Sequence, residues 1–414
     1  MVSIGKSCPA QAIKAHLEES AMLVVFEFES MDHLEEFLHI AKHRNEEQNE
    51  EMDYCLAREK AQEVIACREL RVPYVVLAKP SIFAKPGGDS GQEIIDCNID
   101  IEALSDETCL VIRAANRRTY CKALERFQPF VSEASRHDIA HWPSIVRNPE
   151  KYLKRHVTEL PVETFNKAMR AQSLVPPLFI KGVEKGNGLS LHHVVRSREE
   201  LEGLIKPAVE LRQLFGTRVP HEASDDDYLA FKVMPDWDCP YRGPQKGRVY
   251  FFEPKNGVML SNVLDFDHQP DHKAEYRCFI VDGKVSSIST YTDYTAYPVP
   301  ECIEELAQQF AAEHADLAPA FVADFGMTDR GPVLVELNEF SQSGRYIAND
   351  AHALYCDLES LLGVDRATVN EPIISIPTFL TSEMVEFVSK DSGESNLLKL
   401  MKSRLKDQDE ISLG

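Results

Sequence analysis

At 414 residues the chain is long enough for two or three domains, and 43% hydrophobic content is enough to fill their cores. Its 67 acidic and 45 basic side chains leave a formal net charge of -22, a field that repels nucleic-acid backbone and anionic lipid. No block of lysine and arginine offsets it, so nucleic acid and membrane are not expected partners. The acidic surface serves solubility and could attract a basic protein.

The ten cysteines are scattered without a Cys-x-x-Cys pair, which points to a reducing compartment and to thiols used as small core side chains. The apolar run AMLVVFEF at 21–28 is too short for a bilayer and carries Glu27, so it reads as a buried strand in a cytoplasmic protein. Further strand-like runs at 72–78 and 109–113, with a helical pattern over 30–71, make the first third an α/β unit. The glycine-rich stretch 85–93 fits neither a Walker loop nor a dinucleotide fingerprint and reads as a surface loop.

From about residue 137 a second unit begins. Asn148 and Pro149 can open a helix that carries Leu153, Val157 and Leu160 at helical spacing and stops at Pro161. PLFIKGVEKGNGLSLHHVV follows, two β-rich runs around a loop with Gly186 and Gly188. The next helix is expected over 197–214, with Ser197 as its N-cap. Between 217 and 274 strands are expected at 228–233, 248–252 and 258–264, and the irregular remainder reads as an insertion. EYRCFIVDGKVSSISTY then alternates about Asp282-Gly283, the signature of a two-residue type I′ hairpin. Pro300 opens a helix over 301–317 with Ile303, Leu306, Ala307, Phe310 and Ala311 on one face.

The stretch FVADFGMTDRGPVLVELNEF at 321–340 carries the chemistry. Asp324-Phe325-Gly326 matches a protein-kinase triplet, and HADLAPAF upstream superficially resembles a kinase catalytic loop. The other kinase parts fail: Asp316 lies too close to Asp324, Phe321 stands where asparagine belongs, and no Ala-Pro-Glu follows. The stretch reads instead as a hairpin. A period of two puts Glu336 and Asn338 on one face, with Val333, Val335 and Leu337 on the other. Asp324 joins them if even-numbered residues pair with even ones, a register that a bulge at Gly331 would alter. Two carboxylates and an amide on adjacent strands suit Mg2+. Lys181 with its glycine loop can neutralise and cover phosphates. Arg277, on one face with Glu275, Phe279 and Val281, can grip a transferred phosphoryl group or form a local ion pair.

In their order along the chain, Lys181 and its glycine loop, Glu275-Tyr276-Arg277 before Val281-Asp282-Gly283-Lys284, and then Asp324, Glu336 and Asn338 together resemble the ATP-grasp superfamily. The resemblance covers about residues 137–350. It implies an N-terminal α/β domain followed by a two-lobed ATP-grasp fold that holds ATP and Mg2+, divided at 1–136, 137–216, 217–370 and a helical tail, 371–414. It also implies roles: Lys181 as the lid lysine, Gly186 and Gly188 as the phosphate loop, Arg277 as the triphosphate arginine, and Asp324, Glu336 and Asn338 as metal ligands. The lysine before the lid is Lys151 or Lys154, with Lys151 favoured, and Ser261 to Leu264 fall where the adenine hinge belongs. Ser341 and Arg345 stand where members contact acceptor or phosphate, Arg345 equally as a plain helix-start arginine; Arg113, Arg117 and Arg118 are further basic candidates.

The expected reaction joins a small-molecule or peptide carboxylate to an amine through an acyl phosphate. A protein-assembly chaperone of the same fold and a grasp-type kinase are the alternatives. Lys181→Ala and Arg277→Ala are expected to abolish turnover and leave folding intact, both side chains facing a cleft.

Overall fold

The computed structural model describes residues 21–42, 52–78, 93–113, 124–183, 192–233, 237–239, 243–245, 249–252, 257–266, 274–290, 298–346 and 349–363. The first sheet is built with β1 (Met22–Phe28), α1 (Met31–Lys42), α2 (Met52–Leu70), β2 (Tyr74–Ala78), β3 (Ile94–Cys97), β4 (Cys109–Ile112) and β5 (Gln128–Pro129). Its order is β3-β2-β1-β4-β5, with β1 parallel to β2 and β4, β4 parallel to β5, and β3 antiparallel at the edge. A central parallel strand is covered on both faces, which is why 22–28 runs apolar without alternation. Met22, Val24 and Phe26 pack with α1 and α2, while Leu23 and Val25 pack with Val75, Leu110 and Phe127. The loop at 85–93 and Arg117 and Arg118 fall almost wholly or wholly outside the described residues.

α3 (Glu133–Ala140) starts at Ser132, whose hydroxyl accepts from the Ser135 N–H, and α4 (Pro149–Tyr152) follows. The helix expected to run on to 160 ends at this point. Lys154 takes a left-handed φ of 48° and the chain leaves as β6 (Val157–Leu160). Next come α5 (Val162–Arg170), β7 (Leu178–Gly182), β8 (His192–Val195) and α6 (Arg198–Leu204). Ser197 caps α6 as expected, its hydroxyl accepting from the Glu200 N–H at 3.1 Å. The helix expected to reach 214 is interrupted by β9 (Ile205–Pro207), and α7 (Ala208–Phe215) begins after Pro207.

The stretch 217–274 contains β10 (Tyr228–Val233), β11 (Trp237–Cys239), β12 (Gly243–Gln245), β13 (Val249–Phe252) and β14 (Val258–Ser261). β13, β10 and β9 form one small sheet, and β11 and β12 form a separate hairpin. β14 lies in a four-stranded antiparallel sheet of order β6-β14-β7-β8. After β14 the chain crosses to the last sheet, where Phe266 bridges Thr328.

That last sheet contains β15 (Glu275–Val281), β16 (Lys284–Thr290), β17 (Ala320–Thr328) and β18 (Gly331–Asn338), all antiparallel in the order β16-β15-β17-β18. Asp282 and Gly283 have φ of 47° and 72°, the two left-handed residues a type I′ turn requires. α8 (Glu301–Glu313) buries the expected face, Ile303, Leu306, Ala307, Phe310 and Ala311, against Cys278, Ile280, Phe321 and Phe325. On the other face of the sheet, Phe279, Val281 and Val322 share a core with α2 and with α9 (Ala351–Leu362). An N-terminal α/β sheet and the antiparallel sheets of an ATP-grasp fold therefore meet through one continuous core. Among the described residues no helix is long and apolar enough to cross a membrane, and the stretch 371–414 lies outside them.

Candidate nucleotide and metal site

Four expected residues come together on the face of the last sheet that looks toward the β6-β14-β7-β8 sheet. Asp324 pairs with Glu336 across β17 and β18 and with Arg277 across β15 and β17. Arg277 holds the Asp324 carboxylate with two parallel bonds, Nε to Oδ1 at 2.8 Å and Nη2 to Oδ2 at 2.7 Å, and its Nη1 donates to the Gly344 carbonyl at 3.0 Å. The Asn338 amide donates to Asp324 Oδ2 at 2.7 Å and to Glu336 Oε1 at 3.0 Å. From the opposing sheet, Lys181 of β7 reaches across to the second oxygen of Glu336. The predicted convergence of the three oxygen-bearing side chains is thus present, with Lys181 and Arg277 as their counterions.

The electrostatics follow from burial. Asp324 is fully buried and Arg277 is 4% exposed. Charges so far from water persist only when paired and hydrogen-bonded. Two carboxylates facing one lysine and one arginine make a neutral set that can exchange partners without stranding a charge. Among the described residues no three His, Cys, Asp or Glu side chains gather as a metal site. A cation here would rest on Asp324, Glu336 and an amide, completed by non-protein oxygens. That is the ligand set Mg2+ prefers, and a half-turn of the Asn338 amide would present its oxygen beside the same carboxylates.

The glycine of the kinase-like triplet has a packing reason. A Cβ on Gly326 would lie 2.5 Å from the Phe266 ring and 3.1 Å from Val335, so this position accepts the crossing segment only without a side chain. Ser261, buried, ends β14, and Leu264 lies in that same crossing segment, between the two sheets. Gly186 and Gly188 lie outside the described residues.

Other candidates go elsewhere. Lys151 does not join the cluster: its ammonium donates to Glu313 at 2.6 Å and to the Tyr152 hydroxyl at 2.9 Å, at the end of α8. Lys154 donates to the Arg330 carbonyl at 3.1 Å. The basic residue of this segment that does reach the site's strand is Arg155, whose guanidinium donates to the carbonyls of Leu334 and Val335, both at 2.7 Å. Burial pushes its pKa down to about 10, with Arg330 adding to the fall and Glu336 opposing it. Three basic residues in YLKRH are the available signal, but the expected helix gives the wrong directions to all of them.

Arg345, expected to grip a substrate carboxylate, is buried instead. Its guanidinium lies 3.7 Å from Glu63 and bonds Gln62 and the Asn349 carbonyl. Arg113, at the end of β4, chelates Glu63 from the other side at 2.9 and 3.0 Å and donates to the Phe340 carbonyl and, at 3.2 Å, the Ser343 carbonyl. Burial works against the Glu63 charge, but Arg113, Arg345 and the Tyr355 hydroxyl outweigh it and hold the carboxyl below its ordinary range. This cluster ties the first sheet to the loop just beyond Asn338. Ser341 in that loop donates to Glu339, which in turn faces Arg136 of α3 at 3.1 Å.

No curated protein matches the chain. Among solved structures it is similar to D-alanine–D-alanine ligase from Bacillus anthracis in complex with ATP, at 12% identity and a TM-score of 0.37, over 83% of this chain and 97% of that one. It is likewise similar to the ATP-grasp ligase PsnB in complex with a minimal precursor, at 12% identity and a TM-score of 0.39, over 83% and 99%. D-alanine-D-alanine ligase from Coxiella burnetii matches at 12% identity and a TM-score of 0.40, over 83% and 95%. Residues 250–358, which hold Arg277, Asp324, Glu336 and Asn338, match the model of an ATP-grasp domain family, the third of its clade, and this part of the chain belongs to that family.

Proposed function

We propose that the chain is an ATP- and Mg2+-dependent ligase that joins a carboxylate to an amine through an acyl phosphate. The observation that carries this reading is the neutral cluster of Asp324, Glu336 and Asn338 with Lys181 and Arg277, set between two sheets within an ATP-grasp domain. When ATP enters, Lys181 and Arg277 exchange carboxylate oxygens for phosphate oxygens, so the phosphates are met by cations that were already in place. Asp324, Glu336 and Asn338 would hold Mg2+, which supplies charge neutralisation at the phosphates.

A substrate carboxylate oxygen attacks the γ-phosphorus and ADP leaves. The amine nitrogen of the second substrate then attacks the acyl carbon, inorganic phosphate leaves, and the amine loses a proton. Arg277, planar and with several donors, stabilises the charge spread over the transferred group. The crossing segment from Ser261 to Leu264 would meet the base, and Gly186 and Gly188 would cover the phosphates. Buried free thiols at Cys67, Cys109 and Cys278 agree with a reducing, cytoplasmic setting.

The test is turnover of ATP with panels of amino acids, peptides and amines, read both as ADP release and as new amide by mass spectrometry. Lys181→Ala and Asp324→Asn should each lower turnover by about 10²–10³-fold. A stable phosphoester in place of an amide assigns the site to a kinase. Absence of both nucleotide binding and turnover removes the reading altogether.

A further inference from the structure

The turn between β17 and β18 has two residues, Asp329 and Arg330, and such a turn pairs even-numbered residues with odd ones. Thr328 faces Gly331, and Gly326 faces Val333. Continued unchanged, this register would set Asp324 opposite Val335 and send Glu336 to the α8 side of the sheet with Leu334. The register shifts between Asp324 and Phe325, not at Gly331, and Val335 is the extra residue. Beyond this bulge Asp324 faces Glu336 and Val322 faces Asn338, while Leu334 and Leu337 stay in the core under α8. Strict alternation, which assigns Val333, Val335 and Leu337 to the core face, is corrected by the same shift. One inserted residue thus allows a single strand to bury Leu334 and still offer Glu336 to the site.

A bulge disrupts the ladder locally and leaves its carbonyls in need of donors. The two carbonyls on either side of the peptide that enters the bulge, those of Leu334 and Val335, are both held by Arg155, one by each terminal nitrogen. A planar fork with fixed donors can span two carbonyls in this way, whereas an ammonium is a single point. The neighbouring chain is clasped as well: Arg330 donates to the Lys154 carbonyl at 2.8 Å, and Lys154 returns a bond to the Arg330 carbonyl. The segment before β6 is therefore stitched along β18, with the guanidinium at the point where the register changes.

We propose that Arg155 is a positioning residue for the metal and nucleotide site: by holding the Leu334 and Val335 carbonyls it maintains the bulge that turns Glu336 toward Asp324. The inference rests on the reading of Asp324, Glu336 and Asn338 as metal ligands. Arg155 touches no ligand in this account and acts through backbone alone. Replacing it loosens Glu336 and leaves Lys181, Arg277 and Asp324 where they are.

The experiment is a titration of the full chain with Mn2+ in the presence of ADP, followed by electron paramagnetic resonance, with ADP binding in the absence of metal measured alongside. Arg155→Ala should weaken Mn2+ binding by about 10–100-fold, the range for residues that orient metal ligands, with metal-free ADP affinity unchanged. Arg155→Lys keeps the charge and loses the fork, so it should show most of the same loss; it carries the test if the alanine variant does not fold. Unchanged Mn2+ affinity in the variants overturns the role of Arg155, as does an equal loss of metal-free ADP binding. Wild-type protein that binds ADP but no Mn2+ overturns the assignment of the metal ligands, and this inference with it.

Discussion

The last sheet and the segment from 145 to 216 make an instructive pair, since both mix short apolar runs with charged residues and only the first is read well from its sequence. In the last sheet each strand meets a chain neighbour through a tight turn, Asp282-Gly283 or Asp329-Arg330, so local chemistry specifies both the strands and their partners. In the other segment β6 and β9 find their partners far along the chain, in β14 and β10. The sequence around β6 and β9 carries helical spacing, and pairing with remote strands overrides it. Local signals decide structure where the contacts are local.

The sharpest probe of the first region is Arg277. A cleft-facing residue can be truncated without harm to folding, and this is what the sequence alone suggests. The structure corrects that expectation, because Arg277 is buried and chelates an aspartate with no solvent exposure at all. Arg277→Ala should therefore cost about 3–5 kcal/mol of stability, measured by urea denaturation, in addition to abolishing turnover. Arg277→Met combined with Asp324→Leu should recover most of that stability and none of the activity. A fully stable Arg277→Ala protein would mean that Asp324 has water or another cation beside it.

The Glu63 cluster joins the first sheet to the last, so it tests whether that contact is as firm as the ladder. The folded pKa of Glu63 is depressed, so its ionised form is favoured by folding. Its contribution is present above the ordinary value of 4.5 and is lost as pH falls from there through the lower folded value. Glu63→Gln leaves Arg113 buried without its partner and should cost about 3 kcal/mol at neutral pH. Below pH 4.5 the gap between variant and wild type should shrink, which thermal melts across the acid range will show. A gap that persists at acid pH would assign the loss to packing instead of charge.

How much of the site is legible follows the same division. Asp324, Glu336, Asn338 and Arg277 lie on three strands joined into one antiparallel sheet, and alternation puts the right residue types near one another. What alternation does not supply is the parity change at Val335, because a bulge is fixed by tertiary partners such as Arg155 and not by its own sequence. Lys181 is legible because LFIKG is apolar up to the lysine, which leaves one direction for a charge at the end of a buried strand. Lys151 and Arg345 are misplaced for a common reason: each is satisfied by a carboxylate or carbonyl from a distant element, Glu313 or Glu63 and Asn349. No spacing within the chain could announce those partners.

The smallest effect tests which force divides α6 from α7. Pro207 removes a backbone donor and disfavours helix in Lys206, so local chemistry alone accounts for a break there. β9 offers a second cause, since Ile205 pairs with Ala230, is 2% exposed and packs with Leu201 and Val195. If Pro207 is the cause, Pro207→Ala should fuse the two helices and raise the helical circular dichroism. If remote pairing is the cause, the strand should survive, with Ile205 and Ala230 amides still protected from exchange. Stability should then fall by only about 0.4–1 kcal/mol, through the freer unfolded chain. The second outcome is expected, because continuing the helix would draw Ile205 out of a core that already encloses it.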